Sequence, residues 1–309
     1  MRVVFLGSPP FAIPILERLA SSRHRPLLVV TPPDRPQGRG RRVRPSEVAA
    51  VAEREGIECL RPESTRDPAL HACLHELAAD VFLVASYGEL LREDFLAIPK
   101  LECLNVHPSL LPRHRGATPV QAAILAGDEE TGVSIQRVVM ELDAGDVLMQ
   151  TRTRIEPGET AGELALRLAE LAAATSVEAL DLLVDGNATW TPQDPERVTV
   201  CRKLKKEHGR VDWTRGAAEL ERHVRGMNPW PTAQTTLADG AELQLLRARV
   251  AEGGGGGPGT LLAAAKRFVV AAGDGALELV EVKSAGKRAM SGEEFLRGAR
   301  LEPGSKLGS

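Results

Sequence analysis

Residues 2–22 read RVVFLGSPPFAIPILERLASS and join a short apolar run to a stretch of helical periodicity. The run RVVFLG is almost entirely apolar, which is typical of a strand covered on both faces. In the stretch FAIPILERLASS the apolar residues recur at helical spacing. Together the two parts predict a strand followed by a helix, the repeating unit of a sheet with flanking helices.

The same order recurs up to about residue 185. Three further runs predict strands: LLVVT (27–31), VFLVAS (81–86) and LECLNVH (101–107). PSEVAAVAEREG predicts a helix that ends at Gly56. This alternation favours an α/β fold with a Rossmann-like, mostly parallel sheet and helices on both faces.

The next segment predicts a strand pair and a long helix. TGVSIQRVV and DVLMQTRTRI are strand-like runs joined through MELDAG. Thr160 and Glu163 have the spacing of a capping box, and Gly186 ends the helix that follows them.

Beyond Gly186 the sequence changes in character. GNATWTPQDPERVTVCRKLKK is polar and contains prolines, as linkers do. After it come one helical stretch, AAELERHVRGM, and short strand-like runs separated by glycines, which predict a small OB-like β-barrel. We expect an α/β domain over 1–185, a linker over 186–205 and a C-terminal domain over 206–309.

Composition and charge narrow the class of protein. A net charge of −3 gives no global sign of a nucleic-acid partner, so any basic surface must be local. The four cysteines lack C-x-x-C spacing and favour reduced thiols over disulfides or a zinc site. The N-terminal apolar run is too short for a secretory signal, and no run approaches the roughly 20 residues of a membrane span. These features predict a cytoplasmic protein without a membrane partner.

The stretch NVHPSLLPRHRGATP (105–119) ends a strand with two polar residues and continues as a proline-rich loop. Asn105 and His107 share a face because strand side chains alternate, and they lie at the strand's carboxyl end, where open α/β sheets bind ligands. An amide and an imidazole can both donate to an oxygen that gains charge. The alternative is that both merely bond neighbouring loops, but the rigid loop after them favours a ligand site.

An acid or base partner is available in ELDAGD, which supplies Glu141, Asp143 and Asp146. Spacing does not choose among these three carboxylates, and acidic residues are also ordinary in turns. A separate stretch, PPDRPQGRGRRVRP, is rich in arginine. It is equally consistent with a solvated loop and with a clamp for phosphate or nucleic acid.

Two other classes of site lose support. GSPPF after the first strand is neither G-x-G-x-x-G nor a Walker loop, which argues against a dinucleotide or ATP site. His71, Cys73 and His75 do not all share a helical face, so they favour a surface helix over a metal site. We expect no metal.

The motif NVHPSLLPRHRGATPVQ, with LDAGD further on, resembles the folate-dependent formyltransferases. PDRPQGRGRRVRPSEV, KLKKEHGRVDW (203–213) and RGMNPWPTA (225–233) are similar to the members that act on initiator methionyl-tRNA. The likeness runs nearly end to end. It departs from the usual pattern at Pro108, in GSPPF and in KEHGRVDW.

The resemblance implies formyl transfer from 10-formyltetrahydrofolate to the α-amino group of methionine on initiator tRNA. We expect a monomer. Asn105, His107 and Asp143 would be catalytic, with Asp143 favouring a protonated His107. The folate-binding residues that it implies are Ser109, Leu110, Leu111, Pro112, Leu91, Val139, Met140, Glu141 and Leu142. The tRNA-binding residues that it implies are Arg39, Arg41, Arg42 and Arg44.

Two alternatives stay open on the sequence. A formyltransferase for a nucleotide-sugar amine would use the same three catalytic residues but would leave the arginine-rich stretch and NPWP without a clear purpose. An RNA-binding protein with an inactive formyltransferase half would not need all three residues intact.

Overall fold

The computed structural model describes residues 1–8, 10–33, 36–37, 42–43, 46–253, 255–263, 267–299 and 301–308. The chain forms two compact units. The first comprises Met1–Pro119, Glu130–Arg154 and Ala165–Cys201. The second comprises Val120–Glu129, Ile155–Leu164 and Arg202–Ser309.

The strands are β1 (Val3–Gly7), β2 (Leu28–Val30), β3 (Pro36–Gln37), β4 (Arg42–Val43), β5 (Glu58–Leu60), β6 (Val81–Ala85), β7 (Glu102–His107), β8 (Arg115–Gly116), β9 (Glu130–Arg137), β10 (Val147–Arg154), β11 (Val200–Cys201), β12 (Ala233–Thr236), β13 (Glu242–Ala251), β14 (Leu261–Ala263), β15 (Val269–Ala271), β16 (Ala276–Ser284) and β17 (Met290–Ser291). The helices are α1 (Ala12–Ala20), α2 (Glu47–Arg54), α3 (Pro68–Leu77), α4 (Glu93–Leu96), α5 (Pro119–Ala126), α6 (Ala161–Val184), α7 (Ala217–Gly226) and α8 (Gly292–Ala299).

The first unit is built on a seven-stranded sheet in the order β10-β9-β7-β6-β1-β2-β5. The five strands from β7 to β5 pair in parallel, whereas β9 runs antiparallel to both β7 and β10. The predicted Rossmann-like, mostly parallel sheet is therefore confirmed. Every residue of β1 and β6 is buried, which explains why both strands are continuous apolar runs.

The predicted helix boundaries have local causes in the structure. The Thr160 backbone N–H donates to Glu163 Oε2 over 2.9 Å, and the Glu163 N–H donates back to Thr160 Oγ1, which confirms the capping box. The backbone bond from Thr160 lowers the pKa of Glu163 to about 2. Gly56 and Gly186 follow their helices with φ of 65° and 69°, a conformation that glycine adopts readily.

The second unit contains a six-stranded antiparallel sheet in the order β12-β13-β16-β15-β14, with β17 beside β16. Its core joins α7 and α8 to the sheet and includes Trp213, Leu220, Val224, Leu243, Phe268, Leu277 and Phe295. The small C-terminal β fold that the glycine-separated runs predicted is confirmed, and β12, β14 and β17 are additions to it.

The first part of the predicted linker pairs with strands of the first unit. β11 pairs in parallel with β8, and Thr191 forms a β-bridge with Val147. This pairing places residues up to Cys201 beside the loop that follows the predicted catalytic strand. Among the described residues, none of the four cysteines forms a disulfide bond.

Neither a membrane-spanning helix nor a metal-binding cluster is found among the described residues. In that part of the chain no helix is both long and apolar enough to cross a membrane. His71, Cys73 and His75 lie on the predicted helix, α3, and no group of three or more metal-binding side chains occurs among the described residues.

Candidate active site

The predicted catalytic strand is β7, and its carboxyl end carries the two polar residues on one face. Because β7 and β9 are antiparallel, Asn105 lies opposite Gln136 and His107 lies opposite Ser134. Side chains that lie opposite each other on one face of a sheet are close neighbours. The end of β7 is thus part of a polar patch that spans two strands.

Both faces of the strand β9 are buried, including the face that carries the polar side chains. Val133 and Ile135 are fully buried on one face, while Ser134 and Gln136 are fully or almost fully buried on the other. Buried polar groups require hydrogen-bond partners, so the second face of β9 must be satisfied by other side chains and loops.

Asp143 reaches this patch from the turn between β9 and β10. Its φ is 51°, a left-handed conformation that costs most L-residues about 1–2 kcal/mol and that aspartate tolerates better than most. Gly145 is required two residues later, since a Cβ there would lie 1.9 Å from the carbonyl oxygen of Arg137. The turn therefore passes close to β9 and directs Asp143 back over it.

The three predicted catalytic side chains meet at the Asp143 carboxylate. Asn105 Nδ2 donates to Asp143 Oδ1 over 3.3 Å, and His107 Nδ1 lies 3.6 Å from Asp143 Oδ2. Two more donors hold the carboxylate: Gln136 Nε2 at 2.9 Å from Oδ1 and the Gly116 backbone N–H at 2.8 Å from Oδ2. Of the three carboxylates that spacing left open, Asp143 is the one beside Asn105 and His107.

His107 is buried, and burial lowers its pKa below the ordinary value of 6.5. Asp143 acts in the opposite direction, as expected, but burial outweighs it. That Asp143 favours a protonated His107 during catalysis stays a prediction. His107 Nε2 lies 3.0 Å from the His114 carbonyl oxygen, which only accepts, so Nε2 carries the proton and Nδ1 faces Asp143.

The loop Ser109–Pro112 is held by Ser134 beneath it. Ser134 Oγ donates to the Ser109 carbonyl oxygen over 2.6 Å and accepts from the Leu111 N–H over 3.1 Å. Gln150 Nε2 donates to the Leu111 carbonyl oxygen over 2.8 Å and to Ser134 Oγ over 2.9 Å. These bonds fix the backbone of the loop that is predicted to bind folate.

Replacing Ser134 with alanine should lower the free energy of unfolding by about 1–3 kcal/mol, because it leaves buried backbone groups of the loop unpaired. Chemical denaturation of both proteins measures the difference. Thr189→Ala, which removes an exposed hydroxyl, serves as the control and should change stability little. An unchanged denaturation midpoint for Ser134→Ala would show that the loop does not depend on this hydroxyl.

The other residues predicted to bind folate fall into two groups. Leu91 is buried in the apolar core that also includes Tyr87 and Phe95, and its contact with folate stays a prediction. Val139, Met140 and Leu142 are exposed, with Leu142 59% accessible. Exposed large apolar side chains in one turn form a surface that an aromatic ligand can cover. Glu141 is exposed and accepts from Arg115 Nη1 over 3.1 Å.

The predicted tRNA-binding residues Arg39, Arg41 and Arg44 lie outside the described residues. Arg42 belongs to β4, which pairs with β3, and its side chain is likewise outside the described part. Their assignment stays a prediction.

Several polar residues of the site were missed in the sequence. Ser134, Gln136 and Gln150 lie on strands, and the alternation Val-Ser-Ile-Gln in β9 is a signal that could have found the first two. Gln193 and Thr199 lie in the predicted linker. Gln193 donates to the Asp143 turn, and Thr199 Oγ1 accepts from the His114 N–H over 2.8 Å. No periodic pattern marks these two.

The arrangement suits the transfer of an acyl group to a neutral nucleophile. It offers an amide donor and an imidazole for an oxygen that gains charge, and a carboxylate that can accept a proton. The described residues around it supply no serine or cysteine hydrogen-bonded to His107, so direct attack needs no covalent intermediate on the protein.

The comparisons with known proteins agree with this chemistry. The family model described as "Formyl transferase" matches residues 1–180, and "Formyl transferase, C-terminal domain" matches residues 203–300. A methionyl-tRNA formyltransferase from Methylobacterium sp. (strain 4-46) is 46% identical, with 99% of each chain covered.

Two solved structures share the fold. The crystal structure of HypX from Aquifex aeolicus in complex with tetrahydrofolic acid has a TM-score of 0.62 at 21% identity, over 96% of this chain and 47% of HypX. An N-formyltransferase from Helicobacter canadensis, in complex with folinic acid and dTDP-3-aminofucose, has a TM-score of 0.69 at 14% identity, over 90% of this chain and 98% of that one. Extent and identity of the sequence matches are decisive: the chain is a formyltransferase and belongs to the methionyl-tRNA formyltransferase family.

Proposed function

We propose that the enzyme transfers the formyl group of 10-formyltetrahydrofolate to the α-amino group of methionine on initiator tRNA, producing N-formylmethionyl-tRNA for translation initiation. The observation that supports this most is the placement of the Asp143 carboxylate at 3.3 Å from the Asn105 amide and 3.6 Å from the His107 ring. The full-length similarity to a methionyl-tRNA formyltransferase supports the substrate. Tetrahydrofolic acid in the related HypX fold supports the formyl donor.

The attacking group in this reaction is an α-amine, whose ordinary pKa of about 8 leaves a useful neutral fraction near pH 7. Its nitrogen forms a bond to the formyl carbon, and the carbonyl electrons move to oxygen. Asn105 carries two amide hydrogens and gives one to Asp143, so the other can donate to this oxyanion.

The proton of the attacking amine then has two acceptors beside it. Asp143 can accept the proton directly, and His107 can take it up at Nδ1, because Nε2 is committed to the His114 carbonyl. Collapse of the intermediate breaks the bond between the formyl carbon and N10 of the folate. The proton passes to N10, which leaves as tetrahydrofolate, so charge and atoms balance.

The predicted folate contacts remain part of the proposal. The loop Ser109–Pro112 offers a backbone fixed by Ser134, and Val139, Met140 and Leu142 offer exposed apolar surface. We propose that the pterin lies between them, with Leu91 and Glu141 also around it.

The substrate is tested by supplying 10-formyltetrahydrofolate with either charged initiator methionyl-tRNA or UDP-4-amino-arabinose and following release of tetrahydrofolate. Turnover with the tRNA alone is expected. Turnover with the sugar alone would keep the chemistry and overturn the substrate. The absence of turnover with both substrates would contradict the proposed reaction.

The predicted contacts of Arg39, Arg41, Arg42 and Arg44 with tRNA phosphates have a measurable consequence. Four such contacts should weaken tRNA binding on the order of 10²-fold between 50 mM and 200 mM salt, because each contact releases condensed counterions. Titration of the tRNA at several salt concentrations gives the slope, and replacing the four arginines by glutamine should flatten it. An affinity that barely changes with salt would remove the arginine clamp from the proposal.

Three broader expectations complete the proposal. We propose a catalytic domain over 1–185, a linker over 186–205 and a tRNA-contacting domain over 206–309. We also propose a monomer that acts in the cytoplasm, which fits the substrate and the four cysteines without disulfide bonds.

A further inference from the structure

The predicted linker contributes one side chain, Gln193, to the turn that carries Asp143. Gln193 Nε2 lies 2.8 Å from the Asp143 carbonyl oxygen and 2.7 Å from the Gly145 carbonyl oxygen. It also lies 3.2 Å from Gln136 Oε1. On its other side, Gln193 Oε1 accepts from Arg115 Nε over 3.0 Å. A single amide thus joins the loop after β7, the strand β9 and the Asp143 turn.

The directions of these hydrogen bonds are fixed by chemistry. A guanidinium only donates, so the oxygen of Gln193 must face Arg115 and its nitrogen must face the turn. Gln136 then accepts at Oε1, and its own nitrogen donates to Asp143 Oδ1 over 2.9 Å. Each residue in this chain of hydrogen bonds therefore donates to the next, from Arg115 to Gln193, from Gln193 to Gln136 and from Gln136 to the Asp143 carboxylate.

The turn that carries Asp143 has few buried side chains to hold it in place. Asp143 has a left-handed backbone, and Val139, Met140, Glu141 and Leu142 before it are exposed. The turn therefore has little packing of its own to hold the carboxylate at its distance from Asn105 and His107. Productive catalytic geometry requires placement within about 0.5 Å, which hydrogen bonds from supporting residues provide.

We propose that Gln193 is a positioning residue for formyl transfer, which holds the backbone of Asp143 so that its carboxylate meets Asn105 and His107. Arg115 orients Gln193, and Gln136 completes the link to the carboxylate. This inference rests on the proposed role of Asp143 as the proton acceptor.

Two substitutions separate hydrogen bonding from shape. Gln193→Ala removes the whole amide. Gln193→Glu keeps the shape and the bond from Arg115, but it places an oxygen against the carbonyl oxygens of Asp143 and Gly145. Both should lower kcat about 10–100-fold and leave KM for both substrates nearly unchanged, as expected when a supporting residue is lost. The number of folate molecules bound per protein molecule gives the folded fraction of each variant, and kcat is divided by that fraction.

The matched control is Asp194→Ala in the adjacent position. Asp194 Oδ1 accepts from the Glu196 N–H over 3.0 Å and caps the 3-10 helix Pro195–Arg197, and within the described residues its side chain makes no hydrogen bond to the Asp143 turn. This variant should keep the wild-type kcat. If it loses as much activity as Gln193→Ala, the effect belongs to the linker as a whole and the positioning role is wrong.

The decisive measurement repeats Gln193→Ala in an Asp143→Asn background under single-turnover conditions. Because Gln193 acts through Asp143, it should cause no further loss there. An equal loss in both backgrounds, or a wild-type kcat for Gln193→Glu, would overturn the positioning role. Wild-type turnover with initiator methionyl-tRNA is measured first, so its absence would instead overturn the proposed function.

Discussion

Asp143→Asn should lower kcat by about 10²–10⁴-fold, the range that a positioned general base contributes. Asparagine has nearly the same size and tolerates the left-handed backbone at this position, so the turn can keep its course. It cannot accept the proton of the attacking amine. Its amide group also meets donors from Asn105, Gln136 and Gly116, where the carboxylate accepts on both oxygens.

Steady-state kinetics with both substrates measure this effect, and KM should change little because the loss lies in the chemical step. Asp146→Asn is the matched control, since Asp146 belongs to the same LDAGD motif but pairs with Arg137 at 3.5 Å. It should retain nearly the wild-type kcat. If activity is instead lost in Asp146→Asn and kept in Asp143→Asn, Asp143 is not the general base.

Asn105→Ala should lower kcat by about 10²–10³-fold, the usual loss when one oxyanion donor is removed. The amide donates to an oxygen that carries full charge only after the amine has attacked, so substrate binding should be nearly unaffected. Asn105→Asp tests the same point with a side chain of similar shape that has no N–H to donate.

Thermal unfolding accompanies these kinetics and separates a loss of chemistry from a loss of folded protein. Asn187→Ala, at an exposed position after α6, is the control for a simple loss of an asparagine amide. A kcat near that of the wild type for Asn105→Ala would remove Asn105 from the oxyanion site.

Much of the fold could be predicted because its signals are local. Buried strands such as β1 and β6 are continuous apolar runs, and α6 begins at a capping box whose two partners are three residues apart. Alternation along β7 was enough to place Asn105 and His107 on one face. Short strands such as β5, β14 and β17 were missed, since two or three residues carry too little pattern to distinguish a strand from a loop.

The candidate site divides in the same way. Residue types and spacing within one segment established the amide–imidazole pair and limited its acid partner to three carboxylates. The choice of Asp143, the lowered pKa of His107 and the proposed roles of Gln136 and Gln193 depend on which distant segments meet at the end of β7. Sequence pattern reports the direction and burial of side chains within an element. Hydrogen-bond partners and local dielectric arise only when β9, the Asp143 turn and the linker pack together, and therefore only the tertiary structure decides them.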